Sequence, residues 1–386
     1  MKILEVCHRF PPAIGGSEKV VHELSKQFKN KGHDVTVITS TSLTNNDTRG
    51  FSTGRFFSFQ SKNKKSYKEN VEGIKIFRFQ PLFQLFPYSF NPQMKRFLKN
   101  NINKYDIVHV HGYQTYEADI VSKYSKKYIL TAHDIIAHYD GVLGFLKNIF
   151  DSIIGRRILK RAKNLIALTP ENIKQYNEII NCKNKIELIP NGIEKIRRKN
   201  VENLKKQFNN PKKIILFVAR LVKYKGAQHI IKAAKEILKN EPSTSFVFVG
   251  EDQGYGEELK KIAKENNVEN NCFFTGKVPS VDDYYSLADI FVLASTGEGF
   301  GLTAVEAMSL GIPSILADMG GLKYVLKEIG GYPLEMEANI HKQIAEHVKD
   351  IFDDKKIKEK MEKIIEKIKN YTWDKISDKT LELFEK

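Results

Sequence analysis

Several features that mark specialised classes of protein are scarce in these 386 residues. Cysteine occurs three times, at Cys7, Cys182 and Cys272, with spacings that fit neither a disulfide framework nor a zinc ribbon, so we expect a reducing compartment. No run approaches the ~18 apolar residues of a membrane-spanning helix. The opening residues 1–6 are too short and too soon charged to form a signal peptide. These absences favour a globular, cytoplasmic protein.

Basic residues outnumber acidic residues, and the excess lies almost entirely in one half of the chain. The chain has 62 Lys and Arg against 46 Asp and Glu, a net charge of +16. Residues 1–190 contain 30 basic and 16 acidic residues (+14), which leaves 32 and 30 (+2) for residues 191–386. Such an excess points to nucleic acid, a membrane surface or anionic substrates. Whichever partner it serves, the excess belongs to the first half.

Short apolar runs alternate with amphipathic helical patterns along the whole chain, which predicts an α/β protein with doubly wound, mostly parallel sheets. The rhythm pauses near residues 190–212 and then restarts, so we expect two domains. Residues 44–70 are polar and low in strand signal, which predicts a long loop or an irregular insertion. Predicted strands lie at residues 2–7, 35–38, 74–77, 107–110, 128–131, 165–168, 214–218, 246–249, 272–275, 290–293 and 313–316.

Two loops that follow predicted strands are suited to anions. The loop 11–18 contains Gly15 and Gly16, which allow close backbone approach to a ligand; an ordinary tight turn before a helix is the alternative. The spacing is not Gly-x-Gly-x-x-Gly, so a nicotinamide site is not indicated. The loop 219–226 carries Arg220 and Lys225, which would neutralise a diphosphate; a solvated basic loop is the alternative.

A third loop, residues 295–308, is the most specific. Glu298 lies in a glycine-rich stretch after a predicted strand, and Glu306 follows about one turn inside the next helix. Loop amides and a helix N-terminus suit phosphate, whereas carboxylates accept hydrogen bonds from sugar hydroxyls. The combination favours a sugar nucleotide over the alternative, a plain helix start with solvated glutamates.

The residues EGFGLTAVEAM, 298–308, resemble the signature motif of the retaining GT-B glycosyltransferases of family 4. The likeness extends in the right order over about residues 1–325, with a further match near Trp373. The matching segments are Gly15-Gly16, His109-Val110-His111-Gly112, Thr131-Ala132-His133-Asp134, Pro190-Asn191-Gly192-Ile193, Arg220, Lys225-Gly226, Val249-Gly250-Glu251, Thr275-Gly276-Lys277-Val278 and Gly320-Gly321.

This resemblance implies a GT-B fold, in which two Rossmann-like domains face each other across a cleft. Residues 1–190, with a crossover helix at 371–386, would form the acceptor-side domain, and residues 191–370 the donor domain. The activity implied is transfer of a hexose, with retention, from a UDP- or GDP-type sugar nucleotide to a glycan or lipid-linked acceptor. The family frequently has a Glu where this sequence has Tyr324. This difference concerns which sugar is transferred rather than the type of reaction.

The resemblance also implies roles for individual residues. Glu306 would bind the ribose hydroxyls, Arg220 and Lys225 the diphosphate, and Glu298 the donor sugar. His111 would lie nearest the reacting sugar; for His133 and Asp134 a functional and a structural role stay open. The remaining expected donor contacts are the backbone amides of Gly299, Phe300, Gly301, Leu302 and Thr303, the close approach at Gly15 and Gly16, and a base pocket bordered by Lys277 and Val278.

Catalysis in this family is thought to proceed on one face of the sugar, with the departing phosphate taking the acceptor proton. No protein nucleophile is evident in the sequence, and no Asp-x-Asp occurs, so we expect no cofactor and no divalent metal. The rival readings are a GT-B sugar-nucleotide 2-epimerase or a phosphorylase, and a nucleic-acid-binding protein. The last is disfavoured because no nucleic-acid-binding module is recognisable.

The acceptor side carries two segments that interleave apolar and basic residues, 77–98 and 142–163. The second reads as a basic amphipathic helix, which suits an anionic bilayer surface or, alternatively, a core helix with a solvated basic end. We hypothesise that both segments help the protein to associate peripherally with the inner face of the plasma membrane.

Overall fold

The computed structural model describes residues 1–13, 15–41, 57–58, 65–85, 88–133, 147–181 and 185–386. They form two compact units, Met1–Gly192 with Trp373–Lys386, and Ile193–Thr372. Each unit is built on a largely parallel sheet, which confirms the predicted fold class of two Rossmann-like α/β domains. Over these residues, no helix combines the length and the apolar character that crossing a bilayer requires.

The first unit contains an eight-stranded sheet and a small three-stranded one. Its strands are β1 (Lys2–Cys7), β2 (Asp34–Ser40), β3 (Phe57–Ser58), β4 (Tyr67–Val71), β5 (Ile74–Phe79), β6 (Phe83–Leu85), β7 (Tyr88–Phe90), β8 (Ile107–His111), β9 (Tyr128–Thr131), β10 (Asn164–Ala167) and β11 (Ile186–Leu188). The large sheet has the order β11-β10-β9-β8-β1-β2-β5-β4, and the small antiparallel sheet has the order β3-β6-β7. Strands β1 and β8 are buried along almost their whole length, as expected of central parallel strands covered on both faces.

Helices cover both faces of this sheet because their apolar residues recur at helical spacing. They are α1 (Gly16–Asn30), α2 (Pro92–Asn101), α3 (Tyr116–Tyr124), α4 (Arg156–Arg161), which continues a π-helical turn at Asp151–Gly155, and α5 (Pro170–Ile179). In α1, Val20, Val21, Leu24 and Phe28 form the buried face. Two of these helices begin after a capping residue. The Asn91 side chain accepts a hydrogen bond from the Met94 amide at the start of α2, and the Thr115 side chain accepts one from the Ala118 amide at the start of α3.

The second unit has a six-stranded, entirely parallel sheet. Its strands are β12 (Lys213–Val218), β13 (Thr244–Val249), β14 (Cys272–Gly276), β15 (Ile290–Leu293), β16 (Ser314–Ala317) and β17 (Tyr332–Leu334), in the order β14-β13-β12-β15-β16-β17. Its helices are α6 (Glu202–Lys206), α7 (Ala227–Asn240), α8 (Gly256–Glu265), α9 (Asp282–Leu287), α10 (Leu302–Ser309), α11 (Gly320–Glu328), α12 (Ile340–Asp353) and α13 (Ile357–Ile368). The order changes direction between β12 and β15, the point at which doubly wound sheets bind ligands.

The final helix, α14 (Trp373–Glu385), packs on the first unit. Phe384 lies against Phe28 of α1, with ring centroids 5.5 Å apart, and Lys31 forms ion pairs with Asp374 and Asp378. Trp373 and Phe384 are buried. The core of the first unit therefore includes the far end of the chain.

The prediction that residues 44–70 form a loop is wrong at the end of this range, which the structure describes. Residues from Tyr67 onward form β4, which pairs antiparallel with β5 at the edge of the sheet, and the turn between them has positive φ at Glu72 and Gly73. The strand escaped prediction because an edge strand exposes most of its side chains and reads as polar. Within it, Glu69 accepts from Nε of Arg78, which is almost fully buried.

Candidate active site

In the second unit, the predicted donor residues follow two adjacent strands, β12 and β15. Arg220 and Lys225 lie after β12, Lys225 in a short 3₁₀ turn at Lys223–Lys225, and Glu298 lies after β15. Both strands are parallel, so both loops emerge at the carboxyl edge of the sheet. The fold thus brings the second and third predicted sites to one edge.

Lys225 and Glu298 form a close, largely buried ion pair. Lys225 Nζ lies 2.5 Å from Glu298 Oε1 and also donates to the Gly297 carbonyl at 3.0 Å. The side chains are 10% and 17% exposed, so solvent screens the pair only weakly. Since Glu298 already balances the lysine charge, Lys225 in this state holds the Glu298 loop, and its contact with a diphosphate stays a prediction.

Arg220 has a different environment. It is exposed; its guanidinium donates to Gln253 Oε1 at 3.0 Å and to the Tyr224 hydroxyl at 2.9 Å. Both partners are neutral, so they orient the guanidinium without cancelling its charge. A planar cation held in this way is suited to bind phosphate oxygens.

Glu306 occupies the fifth position of α10 and is 3% exposed. The Tyr285 hydroxyl, from α9, donates to Glu306 Oε2 at 2.9 Å. Burial, together with the adjacent carboxylate, raises the pKa of Tyr285 well above its ordinary value, so the phenol keeps its proton and remains a donor. Tyr285 therefore orients the carboxylate predicted to bind a ribose; sequence analysis missed it because the two residues are 21 positions apart.

The glycine-rich loop before α10 is shaped by close backbone contacts. Gly301 has a φ of +94°, a conformation that favours glycine. The Gly321 amide donates to the Glu298 carbonyl at 2.8 Å, and a Cβ at Gly321 would lie 2.6 Å from the Gly299 backbone. Leu302 begins the helix, and amides in a first helical turn have no intrahelical acceptor.

The side chain of Phe300 points into the unit rather than toward a ligand. It is 2% exposed and packs near Tyr324 and Tyr371, with ring centroids 6.3 and 6.2 Å away. The predicted contact of Phe300 with the sugar nucleotide is made by its backbone amide, so the burial of the side chain does not alter that prediction. Tyr324, the departure from the family pattern, thus fills the space behind the glycine loop.

The remaining predictions for the donor domain concern the end of β14 and the first turn of α10. Lys277 and Val278 directly follow β14; Lys277 is exposed and Val278 is half-buried. Thr303, in the first turn of α10, is also half-buried. Their roles in donor binding stay predictions.

In the first unit, charged side chains support the loop with Gly15 and Gly16. Glu18 Oε1 pairs with Arg9 at 3.0 Å, and a Cβ at Gly15 would collide with the Glu18 carboxylate, at 2.2 Å. Arg78 donates to the carbonyls of Phe10 and Pro11. This supporting arginine was missed because an alternating strand pattern does not distinguish a buried Arg from an exposed one.

Three histidines of the first unit, His109, His111 and His133, form one cluster around Glu5 of β1. His109 Nδ1 lies 3.2 Å from Glu5 Oε2, and His111 Nε2 lies 2.5 Å from the same oxygen. His111 Nδ1 is 2.9 Å from His133 Nε2, and His109 Nε2 is 2.8 Å from Thr131 Oγ1. Strands β1, β8 and β9 are neighbours, with Glu5 opposite His109 and His111 opposite Thr131. Register therefore brings together residues about 100 positions apart.

Burial controls protonation in this cluster. Burial lowers the pKa of His111 to about 4, and lowers that of His133 well below its ordinary value. Burial alone would raise the pKa of Glu5, but the charges and hydrogen bonds of His109 and His111 outweigh it and lower that pKa. At neutral pH these shifts favour an ionised Glu5 beside the neutral imidazoles of His111 and His133. Glu5 was not predicted, since a single acidic residue in an apolar strand gave no specific signal.

Among the described residues, the same three groups also form a candidate metal-ligand set. The ligand atoms of Glu5, His109 and His111 all lie within 4.8 Å of one another. His111 Nε2 and Glu5 Oε2, 2.5 Å apart, also form a hydrogen bond with each other. The expectation of metal-free chemistry stays a prediction.

Asp134 lies outside the described residues, as do residues 142–146 and 86–87 of the two predicted docking segments. In segment 77–98, Phe77 and Phe97 pack together in the core, with ring centroids 4.8 Å apart, so these aromatic residues do not face outward. In segment 142–163, Ile149 and Ile153 are 43% and 64% exposed.

Two family models match the chain. Residues 199–371 match the glycosyl transferases group 1 model, and residues 14–197 match the glycosyltransferase family 4 model. Together they cover most of the sequence. The protein belongs to the GT-B glycosyltransferases of group 1 and family 4.

Similar proteins extend over most of the chain. The N-acetyl-alpha-D-glucosaminyl L-malate synthase of Bacillus anthracis is 25% identical and matches 85% of this chain and 81% of its own length. The GDP-mannose:cellobiosyl-diphosphopolyprenol alpha-mannosyltransferase of Xanthomonas oryzae is 23% identical, with 86% and 82% covered. The structure of HepE of Anabaena with UDP and glucose superposes with a TM-score of 0.77 at 17% identity, covering 100% and 99%. The last comparison supports the fold.

Proposed function

We propose that this glycosyltransferase moves a hexose, with retention and without a divalent metal, from a UDP- or GDP-type sugar nucleotide to a glycan or lipid-linked acceptor. The observation that carries the proposal is the grouping of Arg220, Lys225, Glu298 and Glu306 at one edge of the second sheet. Relatives support the donor class by their names or contents: one uses GDP-mannose, and HepE was crystallised with UDP and glucose.

Each residue has a task that follows from its surroundings. The Glu306 carboxylate accepts hydrogen bonds from the ribose hydroxyls and is held in place by Tyr285. Arg220 binds the diphosphate, where negative charge grows as the sugar departs, so its charge stabilises the transition state more than the ground state. Glu298 accepts from hydroxyls of the donor sugar, with Lys225 fixing its position.

The proposed reaction takes place on one face of the sugar. The bond between the anomeric carbon and the phosphate oxygen breaks, the acceptor oxygen bonds to that carbon on the same face, and the acceptor proton goes to the departing phosphate oxygen. Positioning and charge stabilisation then account for most of the catalysis. Arg220 and the first amides of α10 replace a metal ion in this scheme.

Saturation-transfer NMR across a panel of sugar nucleotides identifies the donor, and the selected donor is then incubated with candidate acceptors. We expect nucleoside diphosphate release that depends on an acceptor, a product with the anomeric configuration of the donor, and no loss of rate with EDTA. An epimerised sugar nucleotide formed without acceptor, an inverted product, or a rate abolished by EDTA and restored by Mg²⁺ each contradicts the corresponding part of the proposal.

We also propose peripheral association with an anionic membrane, through the helical segment 147–161. In this segment Ile149 and Ile153 are exposed apolar residues and Arg156 and Lys160 are exposed basic ones, while Ile158 and Leu159 are buried. An apolar and basic surface stripe suits a lipid-linked acceptor at an acidic bilayer.

Liposome sedimentation tests this association. We expect recovery with anionic vesicles to exceed recovery with neutral ones, and to fall when Ile153→Ser is combined with Lys160→Glu. The single variant Lys239→Glu, an exposed lysine of α7 in the second unit, is the charge-matched control. Equal recovery with both lipids contradicts the proposal.

A further inference from the structure

The second unit has a cavity at the amino edge of its sheet, opposite to the edge that carries the donor residues. Lys213 begins β12, Asp289 directly precedes β15, and Pro313 directly precedes β16. These three strands are parallel neighbours, so their first residues meet at one edge. The cavity has a volume of about 560 Å³, within the range of about 300–1,000 Å³ that is typical of small-molecule sites.

The other walls of the cavity are α12, α13 and the turn that ends α10. In that turn Gly311 has a φ of +74°, and a Cβ there would lie 3.5 Å from Ile365 Cδ1 and 3.9 Å from Met361 Cβ, so α13 passes close to the end of α10. All of these elements belong to Ile193–Thr372. The cavity is therefore formed within the second unit alone.

The inner lining of the cavity is apolar. Ala288, Ile351 and Met361 are 4%, 3% and 5% exposed. Phe352 and Ile365 are half-buried, so part of their apolar surface still meets water. Because removing apolar surface from water is favourable, these side chains are suited to contact the apolar part of a ligand.

The charged side chains of the cavity are more exposed than its apolar lining, and basic ones are in excess. Arg198 is exposed, and its Nη2 donates to the Leu310 carbonyl at 3.2 Å. This acceptor is neutral, so it orients the guanidinium without cancelling its charge. The charged lining residues are Arg198, Lys213 and Lys358 with Asp289 and Glu362.

Lys213 lies at the boundary between the charged and the apolar lining. Its Nζ is 4.5 Å from the centre of the Phe352 ring and 3.9 Å from Asp289 Oδ1. The other oxygen of that carboxylate, Oδ2, accepts from the Ile214 amide at 2.8 Å. An ion pair at 3.9 Å is loose, so Lys213 can also bind an anionic group placed next to the apolar wall.

We propose that this cavity binds a small amphipathic anion. Its apolar body lies against Ile351 and Met361, and its head group, a carboxylate or a phosphate monoester, is bound by Arg198 and Lys213. The site goes beyond the proposed transfer reaction, because none of these residues belongs to the donor site and the cavity opens at the other edge of the sheet.

The first test varies the charge of the ligand at constant chain length. Calorimetric titrations use octanoate, octyl phosphate, octanol and octyltrimethylammonium. We expect one site, with a Kd for the better anion at least about tenfold lower than for octanol or the ammonium compound. The better of the two anions distinguishes a carboxylate from a phosphate head group. Equal affinity for all four compounds, preference for the ammonium compound, or no binding of either anion overturns the proposal.

The second test removes one cation at a time. In Arg198→Gln and in Lys213→Gln we expect the Kd of the better anion to rise about five- to twentyfold, with the affinity for octanol unchanged. Arg197→Gln and Lys212→Gln are the matched controls, because these exposed neighbours do not line the cavity. Unchanged affinity in both cavity variants, or equal losses in the controls, overturns the proposal.

A third variant, Ile365→Trp, fills the apolar part of the cavity. We expect loss of anion binding with an unchanged unfolding midpoint, and full affinity in the folded variant overturns the proposal. If this variant does not fold, the two charge variants decide.

Competition with nucleotides separates the cavity from the donor site. We expect saturating UDP or GDP to leave the Kd of the better anion unchanged, and competition overturns the proposal because it places the anion in the donor site. Failure of every sugar nucleotide as donor refutes the proposed function instead, and does not alter the result with the eight-carbon compounds.

Discussion

The two units hold their charges in opposite ways. In the first unit the carboxylate of the cluster, Glu5, is fully buried and hydrogen-bonded to two histidines, His109 and His111. In the second unit Arg220 is exposed and held by neutral groups, so its charge is free to act on a ligand. A buried charge with polar partners is engaged inside the fold, whereas an exposed charge that neutral groups hold in place stays available to bind a ligand. Substitutions that neutralise each kind of charge should therefore fail in different ways.

The largest effect is expected at Arg220. Arg220→Ala removes the cation placed where charge grows in the transition state, and we expect kcat to fall about 100- to 1000-fold with a smaller change in donor affinity. Steady-state kinetics with the identified donor measure both. Lys223→Ala, an exposed lysine in the adjacent turn, is the control. Unchanged kcat in Arg220→Ala would refute the metal-free diphosphate clamp.

Glu306→Ala should chiefly weaken donor binding. Loss of two charge-assisted hydrogen bonds to a ribose costs about 3 kcal/mol, or roughly 100-fold in Kd. Calorimetric titration with the nucleoside diphosphate measures it, and Glu257→Ala, on exposed α8, is the control. A Kd equal to that of the parent means that the ribose binds elsewhere.

The stability of the first unit should depend on pH. His111 and His133 have pKa values below those of an unfolded chain, so the unfolded state binds more protons as pH falls below about 6.5. Glu5, Cys7 and His109 are the other titratable groups in the cluster. We expect the free energy of unfolding to drop between pH 6.5 and 4 by at most about 1.4 kcal/mol per pH unit for each histidine.

Urea titrations at several pH values check this slope, and His111→Gln should flatten it. If the free energy of unfolding falls equally with pH in parent and variant, groups other than His111 cause the acid sensitivity, which contradicts the prediction.

The smallest effect is expected at Tyr285. Tyr285→Phe removes the hydroxyl that orients Glu306 but leaves the carboxylate, so we expect a loss in donor affinity of about 1 kcal/mol, or roughly fivefold. Tyr284→Phe, its half-buried neighbour in α9, is the control. An effect as large as that of Glu306→Ala would mean that the tyrosine itself contacts the donor.

The sequence predicted the fold class and the strands β1, β9 and β15 to the residue, because central parallel strands are continuous apolar runs bounded by turn residues. It also predicted that residues 298–308 form a loop followed by a helix. The Lys225–Glu298 pair, 73 positions apart, and the Tyr285–Glu306 hydrogen bond were beyond its reach, since neither periodicity nor a local motif links the partners.

Glu5 shows the same limit more clearly. An acidic residue inside an apolar strand is compatible with a bulge, an edge or a buried pair, and only the register of β1 against β8 distinguishes them. The hydrogen-bond partners lie 104 and 106 positions away. Placement of a charge in three dimensions therefore requires the sheet order, which spacing along the chain does not supply.

The return of α14 to the first unit has a consequence for synthesis on the ribosome. The helix that carries Trp373 and Phe384 emerges only after Ile193–Thr372 has been made. During translation Phe28 of α1 cannot contact Phe384 until the final helix has been made, whereas the second unit can fold before then. The domain that begins the chain is therefore the last to be completed, and a nascent chain stalled before Trp373 exposes an unfinished core to chaperones.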